Sequence, residues 1–184
     1  MSELMAKDLD SIDALTLTQL QHTLINSPQM MPAQVAKEHG VSELAVVKAM
    51  SSEEACFLAL TDKDELLASL PSWGNMTTII AVSGSIFEFK GSFPEGKYAH
   101  GYYNIYTKGE GLHGHLLMDN IGHIALISRP FRGQESYSIN FFGAEGEMVF
   151  KVYLGRDKQR VLIASQVEQF KALVLKALAS SSSI

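Results

Sequence analysis

The sequence predicts an α+β fold, in which short helices come first, a strongly curved antiparallel sheet follows, and one helix ends the chain. Before residue 72, leucines recur at helical spacing. After Trp73, short runs rich in β-branched and aromatic residues alternate with glycine-containing breaks, as is typical of antiparallel strands. We therefore expect a helical segment over 1–72, and a segment over 73–184 that holds the sheet and the last helix, packed together as one compact unit.

Four short helices are expected in the first segment. Leu17, Leu20 and Leu24 lie on one helical face and predict a helix over 14–25. Three further signals each predict a short helix: Pro32 in a first turn with Gly40 as the cap, Ser42 as an N-cap, and the run 64–70 before Pro71.

The second segment contains seven runs with strand character, which cover 76–82, 85–90, 98–106, 111–118, 121–128, 135–142 and 147–154. Tight-turn residues such as Ser83-Gly84 and Arg132-Gly133 separate them. Seven or more short strands of this kind favour an antiparallel meander. A helix over 165–179 follows, with an apolar stripe that includes Phe170.

Composition and charge limit the functional classes. The chain has 184 residues, of which 46% are hydrophobic and 19% charged, so we expect a folded core rather than disorder. The net charge of −5 disfavours a general nucleic-acid binder. The single cysteine, Cys56, excludes a disulfide within the chain and a cysteine-based metal site. Because the sequence shows neither a signal peptide nor a run that spans a bilayer, we expect a cytoplasmic protein.

Histidines and tyrosines between residues 100 and 123 are the main candidates for chemistry. His113 and His115 are two positions apart, so in a strand both imidazoles project from one face, either as ligands or as solvent-facing polar side chains. The same alternation in 98–106 places four polar side chains on one face: His100, Tyr102, Asn104 and Tyr106. Such a face is too polar for a plain core, and we expect a pocket wall or an interface.

Two further residues have both a structural and a functional interpretation. His123 lies among apolar residues, where a hydrogen-bonded core histidine is more common than a ligand. Arg156 follows the end of a strand and a glycine. Its guanidinium group can hold an anionic group or form an ion pair with Asp157.

Three kinds of function fit these residues. The His-x-His pair on an antiparallel strand suggests a cupin-like metal enzyme, for which the chain offers Asp119 but no histidine after His123. Residues 31–50 have the order of a helix-turn-helix, but the second helix lacks side chains that read base edges, so we expect a packing module or dimer arm. A heme binder needs an apolar wall, an axial ligand and a few cations, and the chain can supply each.

The heme interpretation assigns residues to each role. The face that carries His100 and Tyr102, near His113 and His115, is expected to supply the axial ligand. The apolar wall is expected from Phe87, Phe89, Phe141, Phe142, Ile79 and Met118. The propionate groups are expected to meet cations among Lys97, Lys108, Arg129, Arg132 and Arg156.

Six motifs, in their order and spacing, resemble the cytosolic heme-utilisation carriers of the ChuX/HutX (HuvX) type. They are WGNMTT at 73–78, GYYN at 101–104, GH at 114–115, HIALI at 123–127, YLGRD at 153–157 and QV at 166–167. The resemblance extends from about residue 32 to residue 173. GYYN and LGRD at this spacing are specific in combination, although each alone is weak.

The resemblance implies a bacterial carrier or store in iron acquisition, which binds ferric heme after its uptake and passes it to a heme-degrading protein. It also implies a homodimer that resembles one chain of the larger heme-degradation proteins. Tyr102 matches an iron ligand of the family, and His115 matches a histidine used in some members. Another histidine of some members falls on Ala81, which favours Tyr102 as the primary ligand over a bis-histidine site.

We expect a carrier rather than an enzyme, because no nucleophile–base pair is apparent in the sequence. Two alternatives stay open at this point. One is a metal-dependent, cupin-like enzyme that uses the His-x-His strand. The other is a heme-degrading enzyme.

Overall fold

The computed structural model describes residues 12–181, and their fold is α+β, as the sequence predicts. The five α-helices of this part of the chain are α1 (Ala14–Asn26), α2 (Pro32–His39), α3 (Glu43–Lys48), α4 (Lys63–Ser69) and α5 (Ala164–Ser181). Residues 1–11, which the expectation of no signal peptide concerns, lie outside the described residues, and so do residues 182–184.

Nine strands in the described residues form two antiparallel sheets. They are β1 (Ala55–Leu58), β2 (Asn75–Val82), β3 (Ser85–Ser92), β4 (Glu95–Ala99), β5 (Tyr102–Tyr106), β6 (Gly114–Leu116), β7 (Ile121–Ser128), β8 (Tyr137–Gly143) and β9 (Met148–Tyr153). The large sheet has the order β1-β7-β8-β9-β2-β3, and the small sheet has the order β4-β5-β6. The expected seven or more antiparallel strands are therefore confirmed, but they form two sheets, of six and three strands, instead of one.

Strand β1 was not predicted, and it lies inside the segment expected to be helical. Its four residues pair with β7, with Cys56 opposite Leu126. A strand this short shows no clear alternation, so its sequence gives little indication of it. The 1–72 segment thus contributes an edge strand to the large sheet in addition to its helices.

The single strand predicted over 98–106 is a hairpin of β4 and β5 instead. Its turn is formed by His100 and Gly101, whose φ angles are +55° and +82°. Two successive positive φ angles are typical of a type I′ turn. This turn is common in hairpins with a two-residue loop, because it matches the twist of the flanking strands. The pair His-Gly is a rarer turn signal than Asn-Gly, and the polar alternation of the segment concealed it.

The two faces of the large sheet support separate hydrophobic cores. On one face, α4, α5 and the small sheet pack against the large sheet, and the core includes Leu67, Phe170, Tyr103, Ile124 and Leu126. On the other face, α1, α2 and α3 cover the sheet, and the core includes Leu20, Val35, Val47, Ala125 and Ile127. The segment 31–50 packs against the sheet, and α3 buries Leu44, Ala45, Val46 and Val47.

Gln166 of α5 joins three motif segments in the interior. Its side-chain carbonyl accepts a hydrogen bond from the Gly155 main-chain N–H at 2.6 Å. Its amide nitrogen donates to the main-chain oxygens of Trp73 at 2.8 Å and Asn75 at 3.0 Å. The WGN, LGRD and QV motifs thus meet at one buried amide, which indicates a structural role for these residues.

Within residues 12–181, no helix combines the length and the apolar character that a membrane-crossing helix needs.

Candidate functional site

The polar face predicted from alternation lies on the small sheet. Tyr103 and Ile105 of β5 are buried in the core, and Tyr102 and Asn104 project from the opposite face. Asn104 pairs directly with His115 of β6, so these two side chains lie side by side on that face. The structure thus brings together Tyr102, Asn104 and His115, two of which the sequence analysis assigned to the site.

Tyr102 and His115 are neighbours that are open to solvent. Their ring centroids are 6.0 Å apart and their planes make an angle of 68°, an edge-on arrangement. Tyr102 is 41% exposed. Within residues 12–181, no group hydrogen-bonds the Tyr102 hydroxyl. A phenol and an imidazole are therefore both accessible on this face of the small sheet.

Asn104 connects His115 to the hairpin. Its side-chain oxygen lies 2.5 Å from Nδ1 of His115. Its side-chain nitrogen donates to three main-chain oxygens of the hairpin, those of Ala99 at 2.9 Å, Tyr102 at 3.0 Å and Lys97 at 3.4 Å. The alternation predicts that Asn104 lies on the polar face but indicates no role for it.

The other two histidines of the predicted site flank this pair. His100 lies in the hairpin turn beside Tyr102 rather than on the strand, which corrects the expectation that it shares the strand face. His113 lies before β6, and its Nε2 is 3.4 Å from the main-chain oxygen of Gly109. The strand predicted over 111–118 is only three residues long, so the His-x-His pair is not held on one regular strand.

Contacts with α4 fix the position of the small sheet. The Tyr98 hydroxyl of β4 donates to the Asp64 carboxylate at 2.5 Å, and Lys63 donates to the main-chain oxygen of Met118 at 2.8 Å. Burial and the hydrogen bond to Asp64 raise the pKa of Tyr98 well above its ordinary value. Tyr98 therefore stays a neutral donor, and the bond persists at physiological pH.

Arg156 uses its guanidinium group on the main chain. It donates to the main-chain oxygen of Arg160 at 3.0 Å and also to that of Glu135. The carboxylate of Asp157 accepts hydrogen bonds from the main-chain N–H groups of Gln159 and Val161. Arg156 thus ties the loop after β9 to the segment before β8, and the expected pair with Asp157 is replaced by these bonds.

Several residues expected to form the apolar wall or to meet the propionates lie elsewhere. Phe141, Phe142 and Met118 are buried in the two cores, so they do not form an open wall. Arg129 is buried and bound to the Glu54 carboxylate and to the main-chain oxygen of Leu24. Hydrophobic residues in a strand-rich sequence cannot be divided between core and wall by alternation alone when both faces of a sheet are covered.

The structure does not support a cupin-like metal site. Within the described range, no group of three or more His, Cys, Asp or Glu side chains is close enough to hold a metal ion. His123 lies on β7, half-buried, with its ring edge-on to Phe57 at 6.3 Å. It belongs to the face covered by the N-terminal helices, away from the face of β5 and β6, which agrees with the interpretation as a core histidine.

Comparison with known proteins gives a consistent result. The family model "Haem utilisation ChuX/HutX" matches residues 56–173. The chain is 46% identical over 155 residues to the intracellular heme transport protein HutX of Vibrio cholerae. This alignment covers 84% of this chain and 80% of HutX. The crystal structure of ChuX matches with a TM-score of 0.79 and 34% identity, covering 87% of this chain and 98% of ChuX.

A more distant structural likeness concerns a longer chain. PhuS, a heme-binding protein from Pseudomonas aeruginosa, matches with a TM-score of 0.67 and 16% identity. The match covers 95% of this chain and only 49% of PhuS, so the fold corresponds to half of that protein. With its motifs, its fold and its extended similarity to HutX and ChuX, this chain belongs to the ChuX/HutX haem-utilisation family.

Proposed function

We propose that this chain binds ferric heme inside the bacterial cell and carries it to a heme-degrading protein. The observation that carries the proposal is the pair of Tyr102 and His115, two exposed side chains of the types that ligate heme iron, set edge-on on the small sheet. The names of HutX and ChuX, an intracellular heme transport protein and a heme-binding protein, support it.

Tyr102 is the proposed iron ligand. Phenolate is a hard anionic oxygen donor that suits ferric iron, and the hydroxyl of Tyr102 is not engaged by any group of residues 12–181. His115 supplies a second electron pair beside it. His100 and His113 flank the pair and are proposed to have smaller effects, and Arg156 is proposed to contribute only as an outlying cation near a propionate.

The primary test is a hemin titration followed by absorbance. We expect the wild type to give a high-spin spectrum typical of tyrosinate-ligated ferric heme. Tyr102→Phe should remove that spectrum and weaken affinity by at least about tenfold, which corresponds to about 1.4 kcal/mol. Tyr106→Phe is the matched control, since Tyr106 lies on the same strand and its hydroxyl bonds Glu95 at 3.3 Å. An unchanged spectrum in Tyr102→Phe would show that another residue binds the iron.

A carrier and a heme-degrading enzyme give different products. We expect the heme complex, mixed with a reductant under oxygen, to release ferrous heme without forming biliverdin or carbon monoxide. Ferrous iron binds an anionic oxygen ligand more weakly than ferric iron, so reduction gives a plausible route to transfer. Formation of biliverdin by the wild type would contradict the carrier proposal and favour the enzyme.

We further propose that the chain forms a homodimer. Two observations support this: the fold matches half of the PhuS chain, and the edge strand β3 with the end of β2 exposes apolar side chains. Val82, Ile86 and Phe87 are 56%, 67% and 59% exposed. An exposed apolar edge strand is costly for a monomer in water, because it offers unpaired backbone and apolar surface together.

Light scattering at micromolar concentration tests the dimer. We expect the wild type to have twice the mass of the chain, and Ile86→Arg to shift it to the monomer. Leu175→Arg is the control, because Leu175 is 69% exposed on α5 and lies outside the β2–β3 edge. A monomeric wild type would refute the dimer without affecting the heme proposal.

A further inference from the structure

The hydrogen-bond network of Asn104 determines which nitrogen of His115 carries the proton. The nitrogen of the Asn104 amide faces the main-chain oxygens of Ala99 and Tyr102, at 2.9 and 3.0 Å. Carbonyl oxygens only accept hydrogen bonds, so this end of the amide must be the NH2 group. The other end, the Oδ1 that faces His115, is therefore an acceptor.

The proton position on His115 follows from this orientation. Nδ1 of His115 lies 2.5 Å from an acceptor, so it must carry a hydrogen. In the neutral ring the lone pair then lies on Nε2. Within residues 12–181, no group hydrogen-bonds Nε2 of the exposed His115, so this lone pair is open to a ligand.

The geometry points to Asn104 as a positioning residue for heme: it holds neutral His115 in the Nδ1–H form, so that the Nε2 lone pair is presented beside Tyr102. The effect on heme binding rests on the proposed function, whereas the proton position on His115 is a property of the heme-free protein. Groups that bind the second nitrogen of a ligand histidine commonly set its orientation and basicity. The same amide also donates to main-chain oxygens of the hairpin, so the tests below separate an effect through His115 from an effect on the hairpin.

The proton position is measured first, in the heme-free protein, by nitrogen NMR of the histidine rings at a pH at which His115 is neutral. We expect the wild type to show Nδ1 as the protonated nitrogen. Asn104→Ala should shift His115 towards the Nε2–H form, which is the commoner form of free histidine. Asn104→Asp should restore the Nδ1–H form, since a carboxylate also accepts at this position. A wild-type ring in the Nε2–H form would overturn the inference, whatever the result with heme.

Heme affinity then tests the consequence. We expect Asn104→Ala to weaken hemin binding by about tenfold, the lower end of the effect typical of groups behind a metal ligand. Asn104→Asp should recover most of the affinity, although it loses the bonds to the hairpin carbonyls, and Tyr106→Phe should leave the affinity unchanged. Recovery by aspartate separates an effect through His115 from damage to the hairpin, which aspartate would not repair.

A double-variant comparison excludes an indirect effect. In the background of His115→Ala, Asn104→Ala should cause no further loss of affinity, because its route to heme has been removed. A further tenfold loss in that background would show that Asn104 acts through the hairpin and would overturn the inference, while leaving heme binding by Tyr102 intact. If the wild type fails to bind hemin, the proposed function fails, and the NMR result still decides the role of Asn104.

Discussion

At the scale of single residues, Gln166 illustrates how motif residues can be structural. It is fully buried and makes three hydrogen bonds to main-chain groups from two distant segments. Gly155, one of its partners, has no space for a side chain, since a Cβ there would overlap the main-chain oxygen of Asn75. The WGN, LGRD and QV motifs, which help to identify the family, therefore maintain the packing of α5 against the large sheet.

Replacement of Gln166 by leucine should destabilise the fold without a direct effect on the Tyr102 site. We expect Gln166→Leu to lower the free energy of unfolding by at least about 2 kcal/mol, since each buried main-chain group left without a partner costs about 1–3 kcal/mol. Urea unfolding measures this, with Gln159→Leu as the control, because Gln159 is exposed in the loop after β9. Equal stability of the two variants would contradict the structural role.

The raised pKa of Tyr137 predicts that the folded protein loses stability at alkaline pH. Its hydrogen bond to the Glu135 carboxylate, together with burial, raises its pKa to about 12. The unfolded chain has the ordinary pKa of about 10. The folded state therefore holds this proton more tightly, and the resulting stability is present below about pH 10 and is lost as the pH rises towards 12.

Tyr137→Phe measures this contribution. We expect the stability advantage of the wild type over the variant to shrink as the pH rises from about 10 to 12, because only the wild type loses the bond to Glu135. Chemical unfolding at several pH values gives the difference directly. A difference that stays constant across this range would show that the Tyr137 bond does not depend on its proton.

At the scale of elements, the small sheet shows what the sequence can and cannot predict. The alternation in β5 correctly separates the buried Tyr103 and Ile105 from the exposed Tyr102. The alternation does not reveal the turn at His100, because His-Gly is a rarer hairpin signal than Asn-Gly. The tautomer of His115 depends on Asn104 eleven positions away, a contact that exists only after β5 and β6 pair.

Gly96 limits how the β4–β5 hairpin can be altered. It lies opposite Ile105, and the Tyr103 ring covers its Cα, so that a methyl group at Gly96 would overlap that ring. We expect Gly96→Ala to lower the free energy of unfolding by about 1–3 kcal/mol, the usual cost of overpacking, and to weaken heme binding through the displaced hairpin.

Gly114→Ala is the control for the stability effect of Gly96→Ala. A Cβ at Gly114 would meet Ile105 at 3.7 Å, an ordinary contact, and Gly114 lies in the same small sheet. Thermal unfolding of the two variants should therefore differ by several degrees. If Gly96→Ala is as stable as Gly114→Ala, the Tyr103 ring moves away without cost.

At the scale of the whole molecule, buried ion pairs tie the N-terminal helices to the sheet. Lys151 of β9 binds Glu43 of α3 at 3.2 Å, and their side chains are 7% and 13% exposed. Arg129, directly after β7, binds Glu54 and caps the carbonyl of Leu24 at the end of α1. Together with β1, these contacts support the proposal that the segments 1–72 and 73–184 fold as one unit.

Removal of one partner of the Glu43 pair should weaken the whole fold. We expect Lys151→Ala to cost about 3–5 kcal/mol, because it leaves a carboxylate largely buried without its partner. Lys158→Ala, in an exposed loop, is the control. Trp73 fluorescence reports on the core beneath α5. As each of the two variants unfolds, this fluorescence should change together with the circular dichroism of the helices. Separate transitions would refute the single folding unit.

Strand β7 contributes side chains to both hydrophobic cores, and this limits where related sequences can gain or lose residues. Ile124 and Leu126 belong to one core, and Ala125 and Ile127 belong to the other. Inserting or deleting one residue in this strand would exchange the two sets and disrupt both cores at once. Changes in chain length are therefore tolerable in turns such as Arg132-Gly133, but not within β7. Related chains should accordingly align through this strand without gaps and vary in length on either side of it.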